Sequence, residues 1–197
     1  TEAVFNEDSA DIDFRVESNG NTHMIFVDGG NNHVNVGTSS DLGGTLNVAG
    51  TGVFQTADNS NTLTLISTDE DANAGPRLSF QRQSASPVDD DVLGQIFFTG
   101  KDSGGNNTDY VTIKSEIMEE ADGSEDGQLE FGLMKAGTLR NVFTIDRVET
   151  VFNEDSQDID FRIESDNDAN AFVVQGSDGH VGLGHSAPDV ELHLKQT

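Results

Sequence analysis

Three observations predict an all-β fold. Apolar and polar residues alternate with a period of two along many short runs. Clusters of Gly, Asn, Asp and Ser separate those runs. No window carries a sustained apolar stripe of period 3.6; the best, residues 114–121, is short and continues a strand pattern. Little helix is expected.

An internal repeat organises the chain. Residues 4–18 read VFNEDSADIDFRVES and residues 151–165 read VFNEDSQDIDFRIES, an offset of 151 − 4 = 147. The same offset places Val27 on Val174, Gly29 on Gly176, His33 on His180 and Gly37 on Gly184. The match covers residues 2–41 and 149–188, which identifies two copies of one structural unit. The expected divisions are a first module at 1–41, a Gly-rich connector at 42–57, an antiparallel β domain at 58–147 and a second module at 148–197.

Within the first module, Ile12, Phe14 and Val16 point one way and Asp11, Asp13, Arg15 and Glu17 the other, a strand with one buried face. Ile159, Phe161 and Ile163 repeat this pattern. Second strands are expected at 23–27 and 171–174, and a short third strand at 33–36 that ends at Gly37. Ser18-Asn19-Gly20-Asn21 and Asp28-Gly29-Gly30-Asn31-Asn32 supply the turns. A unit this thin does not bury enough apolar area to offset its conformational entropy, so it requires neighbours. Phe14 and Phe161, central in the same strand, are expected to be buried at equivalent places.

The connector holds two short strand candidates. Further strands are expected at 62–67, 77–82, 93–99, 110–118, 128–134 and 139–145, with Gly/Asn/Asp/Pro turns between them. Leu63 and Leu65 share a face, as do Leu78 and Phe80, then Val111, Ile113 and Ile117, then Leu129, Phe131 and Leu133. This spacing predicts an antiparallel sandwich or meander.

Composition narrows the functional classes. Ten Lys+Arg against 36 Asp+Glu give a net charge of −26, which repels nucleic-acid phosphates and anionic membrane surfaces. The chain has no Cys, hence no disulfide, thiolate nucleophile or thiolate metal site. No apolar run approaches the roughly 20 residues of a helical membrane span. A first residue of Thr1 in place of Met reads as an excised or processed fragment. The 12 Phe and the regular strand pattern argue against disorder.

Catalytic and metal-binding patterns do not emerge. There is no Gly-x-Ser-x-Gly elbow, no His-Glu-x-x-His and no Gly-rich phosphate loop followed by Lys. Paired carboxylates carry no information where any fold brings acids together. Asp166-Asn167-Asp168 begins like a calcium loop, but Ala171 stands where Gly is needed and Ser177 where Glu is needed. It reads as a turn. His33 and His180 occupy matching positions and read as turn residues; a metal on a threefold axis is the alternative. No catalytic, cofactor-binding or metal-binding residue is assigned, and no enzyme activity is expected. Arg15 and Arg162, nearly the only cations of their modules, are expected to pair with acids either across strands or between chains.

The run HVNVGTSSD…LNV, matched by HVGLGHSAPDVELHL, resembles the V-G-I-G-T-x-x-P-x-x-x-L-H-V signature of bacteriophage tail-fibre and tail-spike proteins. VFNEDSxDIDFRxES resembles repeats in structural proteins of marine phages. Between them, the G-P-x-L-x-F, L-G-x-I-x-F-x-G and G-x-L-x-F strands follow the order of another fibre building block. Asn35 and His185 depart from the pattern, which has Gly and Thr there. The resemblance spans nearly the whole chain. It implies an elongated, intertwined homotrimeric fibre, located in the virion, contacting other tail or fibre proteins and positioning recognition of a host-surface glycan. Nothing resembles the self-cleaving chaperone domain that ends many such fibres. The other readings are a carbohydrate-binding module, which the absence of Trp and the single Tyr110 weaken, a polysaccharide-degrading spike, and a bacterial adhesin.

Overall fold

The computed structural model describes residues 4–6, 8–73 and 75–195. Among them every regular element is a strand, and the 13 strands form three sheets. The chain divides into two compact units, residues 1–77 and 78–197.

The first unit holds β1 (Phe14–Val16), β2 (Ile25–Asp28), β3 (His33–Val36) and β4 (Leu46–Val48) in that spatial order. The first two pairings are antiparallel hairpins, and β3–β4 is parallel. The sheet therefore continues past Asp41 and takes its fourth strand from the Gly-rich 42–57 stretch.

Local chemistry explains the repeated VFNEDS motif. Asn6 adopts φ 64° and Ser9 φ 52°. The Asn6 side chain closes the turn by donating to Ala10 O (2.6 Å) and accepting from Ala10 N (2.9 Å). Asn tolerates the left-handed region and caps its own backbone, so it serves both needs. Asp13 then accepts from Gly29 N at 3.1 Å. A Cβ on Gly29 would lie 2.7 Å from Ile12 O, so only glycine lets the β2–β3 turn lie on that backbone.

From residue 50 through 87 no backbone–backbone hydrogen bond forms among the described residues. The strands expected at 62–67 and 77–82 are thus corrected: these segments join no sheet within the chain. Alternation prepares a strand, but a ladder needs a partner edge, and none among the described residues takes them up.

The second unit contains β5 (Val92–Lys101), β6 (Asn107–Glu119), β7 (Asp126–Lys135), β8 (Thr138–Ile145) and β9 (Thr150–Phe152). They form one antiparallel meander in sequence order, which decides between meander and sandwich. Residues just ahead of β5 attach to it by side chains: Arg82 pairs with Asp91 at 2.6 Å and donates to Val92 O at 3.2 Å. Phe80 covers Gly94, where a Cβ would come within 2.8 Å of the Phe80 side chain.

The second module follows with β10 (Phe161–Ile163), β11 (Phe172–Val174), β12 (Val181–Leu183) and β13 (Leu192–Leu194), in the topology of β1–β4. Its turns repeat as well: Asn153 and Ser156 take φ 69° and 50°, and Asp160 accepts from Gly176 N at 3.0 Å. The β12–β13 connection is one residue shorter than the β3–β4 connection, which moves the repeat offset from 147 to 146 between Leu46 and Leu192.

Candidate functional site

Cross-strand register sorts each module's side chains into rows. Phe14, Val27, Val34 and Leu46 form one row, and Val16, Ile25, Val36 and Val48 another. The row between them, Arg15, Phe26, Asn35 and Asn47, points to the opposite face. The result is one face of eight apolar side chains. In the second module the corresponding rows are Phe161, Val174, Val181, Leu192 and Ile163, Phe172, Leu183, Leu194, again eight apolar residues.

No residue of these faces is fully buried. Phe14 is 38% exposed, and Val16, Ile25, Leu46, Val48, Ile163, Leu183, Leu192 and Leu194 are also exposed. The expected burial of Phe14 is therefore not met within a single chain, and Phe161 is only half-buried. What is buried is the opposite row: Phe26, Asn35 and Asn47 in the first module and Val173 in the second. Asn47 donates to Asn35 Oδ1 at 2.7 Å and accepts from Gly44 N at 3.0 Å.

The five-stranded sheet repeats this inversion. Ile96, Ile113, Phe131 and Phe143 lie on one face, with Phe98, Val111 and Leu133 beside them. Ile96, Phe98 and Leu133 are exposed. The other face carries buried polar residues: Glu130 and Thr144, which pair across β7 and β8, and Thr112 opposite Gly132. Glu130 accepts from Gln128 and Asn141 at 3.0 Å each and pairs with Lys114, which also lies 2.9 Å from Glu116. Burial pushes the Lys114 ammonium down, but bonds to Glu130 and Glu116 outweigh it and hold its pKa above the ordinary lysine value.

An aromatic run links this sheet to the second module. Phe131, Phe143, Phe152, Phe161 and Phe172 follow one another at centroid distances of 5.6, 4.6, 4.7 and 6.1 Å. The apolar face of the meander and that of the module are thus continuous.

The surface area measures the deficit. The chain exposes 14834 Å². A compact monomer of 21.1 kDa exposes about 9,000 Å², and two separate compact halves about 11,000 Å². Several thousand Å² therefore lie open beyond what a self-sufficient chain leaves, more than the roughly 1,200–2,000 Å² of a standard interface.

Other residues singled out by sequence take ordinary places. Arg15 pairs with Glu17 and Arg162 with Glu164, each at 2.6 Å and two residues along the chain, so among the described residues neither pairs across strands. His33 Nδ1 lies 3.1 Å from Asp41, and His180 Nδ1 lies 3.3 Å from Asp178 and 3.2 Å from Pro188 O; the two positions match but their partners differ. Asp168 closes a turn by accepting from Asn170 N at 2.8 Å. Its O accepts from Ser165 N at 2.8 Å, just as Asn21 O accepts from Ser18 N in the first module. Folding also gathers Asp89, Glu119 and Glu120, whose carboxylate oxygens lie within 4.8 Å of one another. Sequence reading missed this group because about 30 residues separate its halves; Arg147 stands 3.9 Å from Glu119.

No protein-family model and no curated protein sequence matches the chain.

Proposed function

We propose that this chain is a non-enzymatic structural part of a virion fibre, a homotrimer whose apolar sheet faces pack against those of two other copies around a common axis. The observation that carries the reading is the eight-residue apolar face that each module leaves in water. Hydrophobic burial is the main driving force for association, and a symmetric assembly covers identical faces with one another. The trimer number comes from the resemblance to tail fibres. The modules are then shaft segments and the five-stranded region a thickening between them. The assembly holds a host-recognition surface, which engages surface glycans with the avidity of three copies, and it joins other tail or fibre proteins.

Multi-angle light scattering on the purified chain tests the proposal. A mass of 3 × 21.1 kDa, about 63 kDa, is expected. A mass near 21 kDa under native conditions overturns it.

A further inference from the structure

Among the described residues the second copy of VFNEDS is docked on a neighbouring strand and the first is not. In the second copy β9 pairs with β8 through Phe152↔Phe143, Val151↔Thr144 and Thr150↔Ile145. Past the strand, Asn153 N donates to Val142 O at 2.8 Å, and Asp155 Oδ2 accepts from Asn141 N at 3.0 Å. The Phe152 ring lies between Phe143 at 4.6 Å and Phe161 at 4.7 Å.

The first copy is built alike. Phe5 lies 5.1 Å from Phe14, near the 4.7 Å between Phe152 and Phe161, and Asn6 closes the same turn. Yet among the described residues no strand lies against it, and Phe5 is 74% exposed. The Asn6 N–H and the Asp8 carboxylate, whose counterparts bond Val142 and Asn141, have no such partner among the described residues. Asp8 is informative here. Among the described residues, the one hydrogen bond of the Asp155 side chain reaches out of its module to β8.

We infer that Val4, Phe5, Asn6 and Asp8 form a docking surface for the last strand of a further antiparallel sheet, one carrying Asn-Val-Phe in the spacing of Asn141-Val142-Phe143. Main-chain bonds supply the affinity of such strand addition, and the Phe and Asp positions supply its specificity. Another copy's β8 does not fit without losing β9, which already occupies its edge. The fitting partner is a sheet of the β5–β8 kind placed ahead of the module, so that meander and module alternate as one repeating building block. This inference does not depend on the trimer.

The test places residues 78–147 directly before Thr1 of the full chain, so that Arg147 precedes Thr1 as it precedes Val148. Amide hydrogen exchange is followed at Asn6, with Asn153 as the internal standard. In the natural chain Asn6 exchanges without protection; in the extended chain its exchange slows by at least about a hundredfold, toward that of Asn153. Phe5→Ala in the extended chain removes the protection at Asn6 and leaves that at Asn153. Fast exchange at Asn6 while the added β6 and β7 amides are protected overturns the inference. If the added copy fails to protect its own β6 and β7, a synthetic peptide of residues 138–146 is added in excess to the natural chain. Perturbation confined to the Phe5 and Asn6 amides then supports the docking surface, and its absence overturns it.

Discussion

Replacing Phe14 by Ala separates what the chain does for itself from what assembly does for it. A Phe side chain has roughly 200 Å² of burial to offer. With 38% of Phe14 exposed, about 125 Å² is already covered, by Phe5 and the adjoining strand among others. At about 25 cal/mol per Å² this covered part contributes at most about 3 kcal/mol within one chain. The remaining area, about 75 Å², is worth about 2 kcal/mol and is gained only when another copy covers the face. In the proposed trimer three chains lose this together, about 6 kcal/mol, which weakens the assembly equilibrium by about four orders of magnitude. The assay is sedimentation or light scattering over a dilution series, beside thermal melts of the same samples. Phe14→Ala is expected to shift the dissociation midpoint to higher concentration and to make melting concentration-dependent. A lowered melting temperature with an unchanged dissociation midpoint refutes the reasoning, because Phe14 would then be packed only within its own chain.

Three further outcomes are expected. Gly176→Ala drives a Cβ into the Ile159 backbone, against its N and O; the backbone must shift, at a cost of about 1–3 kcal/mol read by denaturant titration, and an unchanged midpoint rejects the close approach. Added sodium chloride should raise the melting temperature, because the proposed trimer gathers 3 × (−26) = −78 charges that are screened over about 8–10 Å near physiological salt; a flat response removes the repulsion argument, and a gain from calcium alone at matched ionic strength points to a specific cation site. The pH profile should fall at both ends. Asp58, held to about 2 by hydrogen bonds from Ser60 and Thr56, and Asp28, Asp102 and Asp146, also held below the ordinary carboxylate value by turn hydrogen bonds, stabilise the fold above about pH 4 and lose that contribution as pH drops through their folded values. Lys114, held above the ordinary lysine value, contributes fully below about pH 10 and loses its contribution as pH climbs through its folded value, so Lys114→Met should flatten the alkaline limb of the melting curve.

Much of this architecture is legible in the sequence because a strand has a period of two. Alternation alone assigns Phe14 and Val16 to one side and Arg15 to the other, and the register confirms it. The repeat likewise announces two equivalent modules, and four of the six runs expected between them become the first four strands of the five-stranded meander. Alternation does not say which face is covered. In each sheet much of the apolar face lies open while polar residues of the other face, Asn35 and Asn47 or Thr112, Glu130 and Thr144, are buried, because coverage depends on what packs over a sheet. Nor does alternation supply a partner: residues 62–67 have the pattern of a strand and no ladder, since hydrogen bonding joins two edges and one segment's sequence describes only one of them. The same reason governs the site. Asn6, Asp13 and Gly29 are visible as a repeated motif, but their roles as turn clamp, turn cap and close backbone approach exist only once the chain folds. The open surface at Phe5 emerges only by setting one folded copy beside the other, where an identical sequence meets a strand in one place and water in the other.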